Sequence, residues 1–486
     1  MGEFSSLHDL GILRWGATVR ETPARTGGAP GRTGNVAEPE RGMEQMTTGP
    51  VRTRSLEELA ADAAARYAAA NPLSQASFER STNYLPGADT RTVNHYDPFP
   101  VTIVRGEGSR LHDLDGHVYV DFLNDYTAGL YGHSDPAIRA AIVEAAGRGL
   151  TLGGPSPNQQ EFAELICRRF PSVDRLRFTN SGTEANLMAV SLARAVTCRE
   201  GVLVFDGAYH GGPLNFTGPD RRLNVPFPWI VADYNDAESA RSLIAERATD
   251  LACVLVEPML AGGGCIPGTR VFLKALRDAT RRAGVPLVFD EVQTSRLAPG
   301  GLQGALDIHA DLTTFGKYLG GGASFGAFGG RADLMDRFDP RRENHLSHPG
   351  THNNNSLTMA AGLTGLRDVF TPDAVRRLTV RGDALRAALN GVAAARDAPA
   401  QVTGRGSIMT VHFQRTPIRR RADVAHTPMA ARDLFQLEML LAGFYVARRG
   451  FVTVSMAHDD EDCDALVAEF DAFLGRHAAA IDSAFA

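Results

Sequence analysis

Seven short apolar runs, set among stretches with helical spacing, occupy the middle of this chain and leave it few folds. They read "RLRFT", "GVLVF", "WIVAD", "ACVLVEP", "PLVFDE", "LTTFG" and "GAFGG". Helical spacing marks 136–148, 159–170, 183–197, 237–247 and 270–283. Runs rich in Val, Leu and Phe, bounded by turn residues, suit strands covered on both faces. Their alternation with helices predicts an α/β fold with a large, mainly parallel sheet.

The flanks read differently. Residues 1–50 are rich in Gly, Pro, Thr and Arg and too poor in apolar periodicity to offset their ordering entropy, so a disordered tail is expected. Residues 51–125 form an N-terminal segment that joins a smaller domain. It opens on a helix that Ser55 caps and Pro72 stops. The stretch "VTIVRGEGSRLHDLDGHVYVDF" then reads as a hairpin turning at Gly106 or at Asp115-Gly116. Residues 126–370 make the large ligand-binding domain, and 371–486 a smaller α+β domain.

Several function classes fall away. A net charge of −6 opposes general nucleic-acid binding. No apolar run approaches the length of a membrane span. Five scattered cysteines without zinc spacing suggest reduced thiols and a cytoplasmic setting. No GxGxxG follows the first strand, which ranks a dinucleotide enzyme low.

Ligands of open α/β sheets sit at the carboxyl ends of the strands, and those ends carry chemistry here. "RLRFT" leads into Ser181, Gly182 and Thr183 at a helix start, a pattern suited to phosphate and equally to a plain cap. "GVLVFD" leads into Tyr209 and His210 among glycines, where a ring can stack on a planar ligand or simply fill a turn. Glu257 ends "ACVLV", and either a ligand or a helix start could use it. Asp290 ends "PLVF", where a carboxylate is costly without a cation or donors. Lys317 ends "LTTFG" and precedes "YLGGG".

That lysine stands out. Of 50 basic side chains only Lys274 and Lys317 are lysine. Lys274 lies on a patterned helix and reads as a solvated charge. Lysine can do what arginine cannot: lose its proton and attack a carbonyl. An amine for a Schiff base, a phosphate site, a stacking ring and a carboxylate for a ring nitrogen are what pyridoxal 5′-phosphate requires. Lys317 and Asp290 are thus the catalytic candidates.

In order along the chain, "TNSGTEANLMA", "GAYHGG", "VLVEP", "LVFDEV", "LTTFGKYLGGG", "GAFGG" and "GTHNNNSLTMAAG" resemble the class III aminotransferases of fold type I. The resemblance implies that Lys317 carries the cofactor and that Asp290 partners its ring nitrogen. It implies a phosphate cup of Ser181, Gly182 and Thr183, Tyr209 on the ring face, and Gln293 near the ring hydroxyl. Thr351 would reach the phosphate of a neighbouring subunit, which implies a homodimer. Glu257 joins the cofactor-binding set.

Within the family, "YLPGADTRTVNHYDPFP", "FLNDYTAGLYGHSDPAIR" and "ARRGFVTVS" resemble the β-amino acid aminotransferases, typified by those acting on β-phenylalanine. The related glutamate-1-semialdehyde 2,1-aminomutases are the alternative. The first branch implies Arg91 as a binder of the substrate carboxylate and Arg449, beside Arg448, as a binder of the keto acid's α-carboxylate. Tyr126 would line the side-chain pocket. His95 and Tyr96 follow Arg91 where the pattern has more apolar residues, which widens the expected donors from aromatic to aliphatic or hydroxylated β-amino acids. The acceptor would be 2-oxoglutarate or pyruvate.

Overall fold

The structure, a computed structural model, describes residues 54–485. The expected disordered tail, 1–50, lies outside the described residues.

Strands are numbered in chain order. β1 (Ile103–Glu107), β2 (Arg110–Asp113) and β3 (Val118–Asp121) form an antiparallel meander. The expected hairpin is two: one turns at 114–117, as the Asp115-Gly116 signal predicts, and the other at Gly108-Ser109 rather than at Gly106, which lies within β1 opposite Leu111. The central strands are β4 (Arg175–Thr179), β5 (Gly201–Phe205), β6 (Trp229–Ala232) and β7 (Leu251–Val256). A two-residue ladder follows, β8 (Met259–Leu260) with β9 (Ile266–Pro267). Then come β10 (Leu287–Asp290), β11 (Leu312–Gly316) and β12 (Gly326–Gly330). The C-terminal part adds β13 (Gln401–Arg405), β14 (Ile408–His412), β15 (Phe444–Tyr445) and β16 (Phe451–Thr453).

All seven expected strands enter one sheet, in the order β4-β12-β11-β10-β7-β5-β6. Only β12 runs antiparallel to its neighbours. The runs of β5, β7, β10, β11 and β12 are buried at every position, as strands covered on both faces must be. Crossover helices Gly182–Thr197, Ala237–Glu246 and Arg270–Ala283 each begin on a side-chain cap, from Ser181, Asp236 and Thr269. Parallel strands joined this way present their carboxyl ends along one edge.

Two apolar clusters fill the interior. One surrounds the large sheet and includes Val204, Val254 and Phe289. The other gathers Phe413, Phe435, Phe470 and Phe473 against the N-terminal helix Leu56–Ala70. That helix starts on the Ser55 capping box, as expected. Pro72 is a joint rather than a stop: Asn71 closes one helix, and Pro72 is the first residue of the next, where its missing N–H costs nothing. β3 pairs with β15, so the N-terminal meander is completed by the C-terminal part of the chain. No described helix is long and apolar enough to cross a membrane.

Candidate active site

The carboxyl ends of β4, β7, β10 and β11, with the loop after β5, bring the sequence candidates together. Lys317 directly follows β11 and adopts a left-handed backbone with φ 53°. Its Nζ makes no hydrogen bond or ion pair with any described residue, whereas Lys274 pairs with Asp278 at 3.0 Å on its own helix face. Lys317 is half-buried. Burial, the largest effect, lowers its ammonium to about 8; Asp125 and Asp290 oppose that shift, while Arg449 and Arg91 add to it. An amine poised near neutrality is available as a nucleophile and base.

Close backbone approach explains the glycines around it. A Cβ on Gly316 would lie 3.2 Å from Gly182 Cα, so the helix start at 182 rests on the residue before Lys317. Gly211 has φ +130°, and a Cβ there would lie 2.3 Å from Thr183 Oγ1. The loop bearing Tyr209 and His210 therefore packs directly on the helix N-terminus. Ser181 Oγ accepts from Glu184 N at 3.1 Å and keeps its own proton to donate.

Asp290 is buried at the end of β10. Its Oδ2 accepts from Asn186 Nδ2 at 2.8 Å and meets His210 Nδ1 at 2.7 Å; its Oδ1 accepts from Val292 N at 3.0 Å. Thr314 Oγ1 donates to Asn186 Oδ1 at 2.7 Å, which aims the amide's N–H at Asp290. Asn186 and Thr314 have no separate signal in the sequence beyond being polar residues in apolar runs. His210 is visible there, but its pairing with Asp290 across 80 positions is not.

Glu257 is used within the protein. Its oxygens accept from Tyr209 N at 2.8 Å and Ala261 N at 3.2 Å. It thus fixes the loop that carries Tyr209, whose side chain stays 42% exposed. Burial pushes the Glu257 carboxyl up to about 8, and the Asp290 charge acts in the same direction. Between about 4.5 and 8 the folded chain keeps a proton that the unfolded chain has lost, so this group makes stability fall as pH rises. Glu257→Gln removes the titration. Melting curves should show the wild type losing ground to the variant as pH climbs from about 5 to about 8. A difference that stays flat across that window is incompatible with a buried, neutral Glu257.

At the far side of Lys317 the chain makes a left-handed turn. Asn124, Asp125, Tyr126 and Thr127 have φ 48°, 44°, 52° and 81°. Each costs roughly 1–2 kcal/mol for a residue with a Cβ, so the surroundings must hold them. Asp121 Oδ1 accepts from Leu123 N and Asn124 N at 2.9 and 2.8 Å. Asn124 Nδ2 donates to Thr453 O at 3.0 Å, and Tyr126 Oη donates to Val93 O at 2.9 Å. The fully buried Arg296 reaches Thr127 O at 3.4 Å.

The two arginines differ in their partners. Arg91 Nη1 bonds Asp125 Oδ1 at 2.6 Å. Arg449 lies 5.0 Å over the rings of both Tyr126 and Phe451. It has no carboxylate partner among the described residues, and its buried Nε has no hydrogen-bond partner. Arg448 is paired with Asp433 and lies 3.8 Å from Asp97. Of the two neighbours, Arg449 is the guanidinium left without an anion among the described residues. Tyr96 is buried, and its Oη accepts from Val101 N at 2.9 Å. His95 lies beside the Phe78 ring, 6.1 Å between centroids.

Gln293 is buried with Oε1 unpartnered, so a hydroxyl donor would complete it. Thr351 is exposed, and its loop reaches the helix start through Asn353 Oδ1, which accepts from Asn180 Nδ2 at 2.9 Å. The donor set fits pyridoxal 5′-phosphate: an open helix N-terminus, an exposed ring face on Tyr209, a buried carboxylate, an orphaned acceptor and an unpaired amine.

The comparisons agree with this geometry. The family model Aminotransferase class-III matches residues 92–434. The beta-phenylalanine transaminase of Variovorax paradoxus is 50% identical over 430 residues, 88% of this chain and 99% of the relative. A crystal structure of a beta-phenylalanine aminotransferase from Variovorax paradoxus superposes with a TM-score of 0.86 at 50% identity, covering 87% of this chain and 99% of that one. A glutamate-1-semialdehyde 2,1-aminomutase of Sorangium cellulosum is 35% identical over 417 residues, 82% of this chain and 95% of the relative. The chain belongs to the class III aminotransferases and is an aminotransferase that depends on pyridoxal 5′-phosphate.

Proposed function

We propose that this enzyme transaminates a β-amino acid, aromatic such as β-phenylalanine or aliphatic, to the β-keto acid, with 2-oxoglutarate or pyruvate as amino acceptor. One observation carries the reading. Two guanidinium groups act on Lys317, one bonded to Asp125 and one without an anion. A β-amino acid and an α-keto acid place their carboxylates at different distances from the reacting nitrogen, and two forks of donors serve both. The likeness to the Variovorax paradoxus enzyme adds support.

Pyridoxal 5′-phosphate, when bound, supplies an aldehyde for the substrate amine and a ring that accepts electron density from the amine-bearing carbon. Ser181, Gly182 and Thr183 take the phosphate at the helix N-terminus. Tyr209 covers the ring, with Glu257 fixing its loop. Asp290 would hold a proton on the ring nitrogen, and the unpartnered Gln293 Oε1 would accept from the ring hydroxyl. Lys317 Nζ would hold the cofactor's aldehyde and, once free, would serve as the base for the proton on the substrate's amine-bearing carbon. Arg91 holds the β-amino acid's carboxylate, Arg449 the keto acid's α-carboxylate, and the Tyr126 ring lines the side-chain pocket. Thr351 reaches the phosphate of a second copy in a homodimer. Ser356, which starts the helix after the Thr351 loop, donates Oγ to the Leu150 carbonyl at 3.1 Å, and the exposed Leu150 side chain is apolar surface that a partner would cover.

A panel of α-, β- and ω-amino donors with each keto acid tests the proposal. Turnover of a β-amino acid that requires added keto acid is the expected result. Conversion of glutamate-1-semialdehyde with no acceptor would assign the aminomutase activity instead. Arg449→Gln should raise the KM for the keto acid by about ten- to a hundredfold, the worth of a charged hydrogen bond. Bleaching of the cofactor by donor alone should change far less. Equal damage to both half-reactions would remove Arg449 from the acceptor role.

A further inference from the structure

We propose that Asp125 is a built-in counter-ion that stands in for the substrate's carboxylate on Arg91, and so sets how strongly the donor site prefers carboxylate-bearing over carboxylate-free amines. The inference rests on the reading of Arg91 given above.

Geometry singles out Asp125. It sits in the middle of four consecutive left-handed residues, a conformation held by Asp121, Asn124, Tyr126 and Arg296. Strain of this kind persists where the surroundings enforce it. The neighbours in the turn are tied to the scaffold, whereas the Asp125 carboxylate is 50% exposed and bonds Arg91. The turn therefore presents one carboxylate to one guanidinium. The Asp89 charge also acts on Arg91, after that of Asp125, but its oxygens accept from the Arg91 backbone N at 2.8 Å and Asn94 Nδ2 at 2.9 Å, so only Asp125 bonds the fork. Both partners also line a cavity of about 430 Å³ with Asn94, Leu123 and Tyr445, which leaves room for the pair to open.

The consequences follow from charge. A donor with a carboxylate must compete with Asp125 for the Arg91 fork. An amine without one finds Arg91 already neutralised and is spared a bare cation beside it. Asp125 therefore weakens binding of the acid and protects binding of the simple amine.

Asp125→Asn separates these effects with little change of shape. The probe is 3-phenylpropanoate, titrated calorimetrically into the holoenzyme. The variant should bind it about three- to fivefold more tightly, the worth of an ion pair exposed at both ends. The ratio of kcat/KM for β-phenylalanine to that for 1-phenylethylamine should rise by at least the same factor. Unchanged or weaker binding of 3-phenylpropanoate, or a ratio that stays level or falls, overturns the inference. Arg91→Gln tells the two failures apart. If it weakens 3-phenylpropanoate while Asp125→Asn changes nothing, only the counter-ion role is lost. If it leaves the affinity intact, Arg91 is not the carboxylate binder and the reading beneath is lost too.

Discussion

Lys317→Ala and Lys317→Arg are both expected to lose at least about a thousandfold in kcat and all the visible absorbance of lysine-linked cofactor. The arginine variant is the sharper of the two. It keeps a cation at the end of β11, and the chain elsewhere uses arginine in nearly every basic position. If charge were the requirement, arginine would serve. The requirement is a removable proton, which a guanidinium does not give up. The site already eases that removal, since burial brings the Lys317 ammonium down to about 8 from an ordinary 10.5. Both variants should still bind the cofactor noncovalently, because the helix start at 182, the Tyr209 ring and Asp290 remain. Retention of activity within tenfold of wild type by Lys317→Arg would end the assignment.

The parts of the site that could be read from the sequence are those set by local pattern. Apolar runs, turn residues and helix caps mark where strands end, and β4, β7, β10 and β11 end beside Ser181, Glu257, Asp290 and Lys317. What the text hid is set by contacts between distant residues. Arg448 and Arg449 look alike until Asp433 takes the first. Asp125 is one more acidic residue in "FLNDYTAG" until a left-handed turn, fixed from Thr453, swings it to Arg91. Tyr96 reads as a polar departure in the segment after Arg91, yet it is buried in the core against Tyr67, 6.0 Å between ring centroids. Glu257 stays open in the sequence between a ligand and a helix start, because its backbone donors, Tyr209 and Ala261, belong to loops whose course no local pattern reveals.

Asp290→Asn is the second change with a large expected effect, and it follows from the pairing of two carboxyl groups. β7 and β10 are neighbours, with Val256 opposite Phe289, so Glu257 and Asp290 emerge side by side at the strand ends. Two buried charges at that separation repel, and the surroundings treat them differently. Asp290 receives three donors, from Asn186, His210 and Val292. Glu257 has two backbone donors and is pushed toward its neutral form. The push toward neutrality thus falls on Glu257, while Asp290 keeps its three partners where a protonated ring nitrogen would need a carboxylate. Asparagine keeps the shape but carries no charge, and its amide N–H must face donors on one side. The kcat should fall by about a hundred- to a thousandfold, and the cofactor should dissociate more readily. A third consequence is specific to the pairing. Without the Asp290 charge, Glu257 ionises more easily, so the fall in stability with rising pH should be shallower in Asp290→Asn than in wild type. A variant with kcat within tenfold of wild type would show that the ring nitrogen does not depend on this carboxylate. An unchanged pH slope would show that the two carboxyl groups do not act on one another.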